Sequence, residues 1–272
     1  MTALDTAPDA ARATKPYTSV GFANVLRSEW TKLRSLRSTF LCVAFTVLAM
    51  IGIAVVMGVR WARQSGSLPP NFDATNVALS GAYLGQVVVG ALGVLVISSE
   101  YSTGMIRATF AAVPQRHTLL AAKAVVLAGA TVVLGEVLAF ASFGIGQALL
   151  TGKHAGVSLG DPGVLAAVFG TGLYLCAAAL LGFGLGAAIR HTAGAISAYF
   201  GLLFAATAVV NLLPESWRNA IVDYLPLNAG GQILTTVRVN GGLAPWTGLG
   251  VFALYAAAAL LIGFLAVGAR DA

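Results

Sequence analysis

Ser98-Ser99-Glu100-Tyr101-Ser102-Thr103-Gly104-Met105-Ile106-Arg107-Ala108-Thr109-Phe110-Ala111-Ala112-Val113-Pro114-Gln115-Arg116 is a short amphipathic stretch set between two long apolar runs. It is too polar to enter lipid and too apolar on one side to be only a solvated loop. Ile106, Phe110 and Val113 fall at i, i+4 and i+7, one helical stripe, while Arg107 and Thr109 face elsewhere. Pro114 cannot continue that helix and restricts Val113 before it, and it is well placed to open the next one. The stretch reads as a foot on which two membrane helices stand.

The rest of the chain agrees with that reading. Of 272 residues, 58 % are hydrophobic and 10 % charged. The mean hydropathy of +0.84 places the chain among multi-span membrane proteins rather than soluble domains. Six runs are long enough against the roughly 20 apolar residues a span requires: about 40–59, 78–97, 121–150, 163–189, 193–213 and 246–269. The third and fourth exceed that need, and can tilt, kink at glycines or project beyond the lipid.

Ahead of the first run, residues 1–20 read as a disordered polar tail with no apolar signal-peptide core, so the first span directs insertion. The membrane domain is then residues 21–272. From Phe22 the apolar residues Phe22, Leu26, Trp30, Leu33, Leu36 and Phe40 recur at spacings of three and four, with Arg27 and Arg34 opposite. A basic amphipathic helix beside a span lies in the interface, its cations near lipid phosphates. Glu29 disturbs the pattern, because it puts a carboxylate within the apolar stripe. It pairs with Lys32 at i+3, or it marks where the helix touches protein rather than lipid.

Sixteen Lys and Arg against ten Asp and Glu leave a net +6, but the cations flank apolar runs instead of lining a water-facing surface. That is membrane topology and speaks against nucleic acid as a partner. With the N-terminus inside, the inner side holds Arg12, Lys15, Arg27, Lys32, Arg34, Arg37, Arg107, Arg116, Lys123, Arg190 and Arg270; the outer side holds Arg60, Arg63, Lys153, Arg218 and Arg238. Eleven against five favours both termini in the cytoplasm.

The pattern Glu100-Tyr101-x-x-Gly104-x-x-Arg107, followed by Pro114-x-Arg116 and a lysine soon after, resembles the second cytoplasmic connection in permease subunits of type-2 ATP-binding-cassette (ABC) exporters. Ser28-Glu29-Trp30-Thr31-Lys32-Leu33-Arg34-Ser35 and the order of six apolar runs extend the resemblance over nearly the whole chain beyond residue 20. Met105 departs from it, standing where related sequences often carry Thr. The resemblance implies an all-α fold of six transmembrane helices in the plasma membrane. It adds an N-terminal interfacial helix bearing Glu29, Trp30, Lys32 and Arg34, a cytoplasmic coupling helix between spans 2 and 3, and short extracellular helices between spans 5 and 6. It also implies that Glu100, Gly104, Ile106, Arg107, Phe110, Pro114 and Arg116 couple to an ATPase subunit, and that a second copy of this chain or a homologous permease completes the pathway.

ATP hydrolysis needs a glycine-rich loop ending in Gly-Lys-Ser/Thr. The one Gly-Lys here, Gly152-Lys153, is followed by His154. The chain is therefore expected to bind no cofactor itself, with ATP and Mg²⁺ held by a separate partner. His117, His154 and His191 stand isolated on different loops, so no metal site is expected, and the spans carry no Asp for an intramembrane protease. Glu136 lies midway along the third run, with Gln86 of the second at similar depth. The two line a translocation pathway, or they form inter-helix hydrogen bonds that lock the fold. Glu136 also keeps open a rival reading, a secondary transporter or channel that works without ATP; a third is a non-transporting membrane anchor.

Overall fold

The computed structural model describes residues 21–64, 68–105, 115–153, 155–237 and 242–269. Ile106, Arg107, Phe110 and Pro114, the centre of the expected coupling helix, lie outside the described residues, as does the N-terminal tail. Everything regular in the described chain is helical, and six helical segments are long and apolar enough to cross a membrane.

Helix α1 (Phe22–Ser35) ends where Leu36 turns to an extended conformation, and α2 (Arg37–Arg63), the first span, starts at once. This differs from the single stripe running from Phe22 to Phe40. Leu36 breaks it, Phe40 belongs to α2, and Phe22, Trp30 and Leu36 are exposed. The buried face of α1 is Val25, Glu29 and Leu33. A face with a carboxylate at its centre buries only because cations meet it there, as described below.

The second span comes in two pieces, α3 (Ala74–Leu79) and α4 (Ala82–Ser102). Asp73 caps α3 by accepting from the Asn76 amide at 2.9 Å. At the break, Gly81 sits against α2 so closely that a Cβ would lie 2.6 Å from the Met50 Cα. The third span, α5 (Arg116–Leu150), has 35 residues, about 52 Å at 1.5 Å per residue. It outruns a bilayer core, as its apolar run suggested.

The axis of the bundle is α6 (Val164–Ile189), the most buried span, flanked by α4, α5 and the last span. Its glycines serve contacts within the chain. Gly182 and Gly186 face α4, where Cβ atoms would meet the Gly90 and Val94 backbones, and Gly184 faces Ala259 and Leu260 of the last span. Arg190 ends α6 at φ 60° and donates to the Ala266 carbonyl at 2.8 Å. The fifth span, α7 (Thr192–Phe200) continued by a π turn at Gly201–Ala205 and α8 (Ala206–Val210), lies on α6 and α4.

Between the fifth and sixth spans, α9 (Glu215–Ile221) buries no residue, whereas α10 (Pro226–Gly231) is packed inward. Gly230 lets the α10 backbone approach the rings of Tyr174 and Phe252. Asp73 then fastens the following segment, accepting from the Thr236 amide at 2.6 Å, the Thr236 hydroxyl at 2.9 Å and the Val237 amide at 2.9 Å. The last span, α11 (Pro245–Ala269), opens with Pro at its first position.

Candidate functional site

Four charged side chains from three helices meet at the end of the bundle where α1 lies. Lys123 of α5 donates to Glu29 Oε2 at 2.5 Å and to Glu100 Oε1 at 2.6 Å. Lys32 donates to Glu29 Oε1 at 2.9 Å and to Glu100 Oε1 at 3.1 Å. Each ammonium thus sits between two carboxylates and each carboxylate between two ammoniums, so the formal charge of the group is zero. The side chains of Lys123, Glu29 and Glu100 are 3 %, 4 % and 8 % exposed, that of Lys32 33 %. Beside the group is a cavity of about 200 Å³ walled by Leu33, Leu36, Val96 and Leu127.

Ions taken out of water lose several kcal/mol of solvation each, and only close pairing restores it. The quartet is therefore better understood as a register device than as a source of net stability: in this placement of α1 on α4 and α5 all four charges are neutralised. Burial works against the charge on Lys32, but its hydrogen bond to Glu29 and the charges of Glu100 and Glu29 outweigh it and raise its pKa.

The structure thus brings together three residues singled out from the sequence, Glu29, Lys32 and Glu100. Glu29 both pairs with Lys32 and marks a protein contact. Lys123 enters the sequence reading as a cation of the inner side and as the lysine that follows Pro114-x-Arg116; its further signal is that two carboxylates, one in an apolar stripe and one at the foot of a span, need a counter-ion. Glu100 turns its carboxylate inward. Gly104, at φ 70° just past the end of α4, supplies the left-handed turn that stops the helix. Arg116 begins α5 and reaches the Val267 carbonyl of α11 at 3.5 Å. Trp30 and Arg34 are exposed on the side of α1 away from the quartet.

Deeper in the bundle, the Glu136 carboxyl packs directly on Gly172 of α6, in space a side chain at 172 would occupy. Neither Glu136 oxygen has a hydrogen-bond partner among the described residues. Gln86 is fully buried; its amide donates to the Tyr83 carbonyl of its own helix at 3.2 Å, and its backbone carbonyl accepts from the Tyr199 hydroxyl at 2.9 Å. No hydrogen bond joins Gln86 to Glu136 among the described residues. Gln147, by contrast, bridges elements, donating to the Ala74 carbonyl at 3.3 Å and accepting from the Val157 amide at 2.8 Å. Among the described residues no three His, Cys, Asp or Glu side chains converge as a metal-ligand set.

Six membrane-length helices around a buried central span, with the sole dense ionic cluster of the described residues tucked at one end, define a multi-pass membrane protein. Residues 25–212 match the family model described as ABC-2 family transporter protein, and the chain belongs to that family. A search among curated proteins finds no match.

Proposed function

We propose that the chain is the permease subunit of an ATP-driven exporter in the plasma membrane. Two permease subunits form the pathway, and separate ATPase subunits holding ATP and Mg²⁺ supply the work. The observation that supports this reading is the quartet: it fastens α1, the last turn of α4 and the start of α5 to one another at the point where 106–114 connects them. A push on that connection is then delivered to three helices as a unit instead of being absorbed by one. Glu100 and Gly104 set where the connection leaves α4, Arg116 where it rejoins, and Ile106, Arg107, Phe110 and Pro114 present the surface the motor meets.

The test is purification of the tagged full chain from its native membrane, followed by sequencing of what accompanies it. A co-purifying ATPase with a Gly-Lys-Ser/Thr phosphate loop is expected, bound less tightly to Phe110→Ala, since truncating an aromatic anchor at an interface costs on the order of 2 kcal/mol. Full transport by the chain reconstituted alone, driven by an ion gradient, would overturn the reading. It would favour the rival in which Glu136, whose oxygens lack partners among the described residues, couples or selects ions.

A further inference from the structure

On the side of α1 away from the quartet runs an open apolar groove of about 890 Å³ between α1, α2 and α5. Its floor on α5 is a stripe with a constant spacing of four, Val125, Gly129, Val133 and Val137, and the three valines are 53 %, 64 % and 62 % exposed. From Val125 to Val137 the stripe extends about 18 Å at 1.5 Å per residue, close to the roughly 15 Å of one leaflet of hydrocarbon. At the α1 end the lining changes character. Arg27 and Arg34, two turns apart and both exposed, stand there with Trp30 between them. No carboxylate lines the groove, neither arginine forms an ion pair among the described residues, and Glu29 of the same helix is engaged by Lys123 on the opposite side.

We infer that this groove holds one anionic phospholipid from the leaflet next to α1, its acyl chain along Val125–Val137 and its phosphate between Arg27 and Arg34. A second copy of the chain would meet two unopposed cations there, and a zwitterionic lipid would leave their charge unmatched; an anionic headgroup above an acyl chain satisfies both ends. Trp30, apolar in body and polar at its N–H, suits the boundary between them. The bound lipid splints α1 to α2 and α5 on the face that the ion quartet leaves open. This inference rests on the chain being a membrane protein and stands whether or not it is driven by ATP.

Gly129 provides the probe, because a Cβ there meets no atom within 4 Å, so a larger side chain enters the groove without striking the protein. The full chain is purified in detergent, stripped of lipid, and titrated with phosphatidylglycerol or phosphatidylcholine while native mass spectra are recorded. One phosphatidylglycerol per chain is expected, in preference to phosphatidylcholine. Arg27→Ala with Arg34→Ala should weaken it by about tenfold or more, and Gly129→Leu should abolish it while the melting temperature of the lipid-free protein is unchanged. Undiminished phosphatidylglycerol binding by Gly129→Leu, or equal binding of the two lipids by the parent chain, overturns the proposal. So does loss of a chain dimer in Gly129→Leu with lipid binding intact, which would assign the groove to a second copy.

Discussion

Lys123 Nζ lies 2.5 Å from Glu29 Oε2, joining the amphipathic helix that precedes the first span to the third span across 94 residues of chain. Neither side chain is more than 4 % exposed. Hydropathy would assign the first to an interface and the second to a span entrance; the contact makes them one structural unit with Glu100.

Removing one member of a buried ion pair leaves the other charge uncompensated, at a cost of about 3–5 kcal/mol, whereas an exposed pair is worth about 0–1 kcal/mol. Lys123→Met should therefore lower the thermal unfolding midpoint in detergent far more than Lys32→Met, whose ammonium is one-third exposed. Adding Glu29→Gln and Glu100→Gln to Lys123→Met should recover much of the loss. Equally small effects of the two lysine substitutions would mean that the quartet does not anchor α1.

The pKa of Lys32 is raised in the folded chain above its ordinary 10.5. A raised value contributes stability in full below the unfolded pKa and loses it as pH rises through the folded one. That contribution should stay constant from neutral pH to about pH 10 and fall at higher pH. Melting temperatures recorded from pH 7 upward check this. Lys32→Met should show a shallower alkaline decline than the parent, and an identical profile would contradict the pairing.

Glu136 rests on Gly172, so the two positions should be coupled. Gly172→Ala intrudes on the carboxyl and should destabilise by about 1–3 kcal/mol, the usual cost of overpacking. Glu136→Ala should relieve much of that cost in the double variant. Glu136→Gln should be tolerated better than Glu136→Leu or Glu136→Lys, because a pathway role and a hydrogen-bonding role both call for a polar group and neither for a full charge. Normal expression and transport by Glu136→Leu would remove this residue from both pathway and packing roles. Failure of Gln with folding intact would show that ionisation matters.

Cytoplasmic termini are the expected outcome of eleven cations on one side against five on the other. Lys123 is committed to the quartet rather than free in a loop, yet removing it still leaves ten against five. Cysteines at Arg63 and Lys153 should react with an impermeant thiol reagent added to intact cells. Protection of both positions would invert the orientation.

Two spans were legible to within a residue, 163–189 and 246–269 read from hydropathy against Val164–Ile189 and Pro245–Ala269, whereas the helices read as 40–59 and 78–97 run further, over Arg37–Arg63 and Ala74–Ser102. Breaks that depend on neighbours were not legible. Gly81 divides the second span where the Met50 backbone lies against it, and Leu36 divides the amphipathic stripe by turning extended between α1 and α2. In the candidate site, Glu29 declared itself by violating its stripe. Asp73 gave no such signal, because its partners Thr236 and Val237 lie more than 160 residues away.

By itself the sequence determined that this is a six-span helical membrane protein with its basic residues gathered on one side. Length and hydropathy of a run are local quantities, and the cost of unsatisfied backbone in lipid leaves an apolar run of that length one way to cross. The tertiary structure alone decided which span is the axis, which glycines meet which backbone, and that Glu29, Lys32, Glu100 and Lys123 form one neutral cluster. The reason is physical: every span is apolar enough to face lipid or protein, so partners are chosen by small residues that admit close approach and by charges that must find one another on burial.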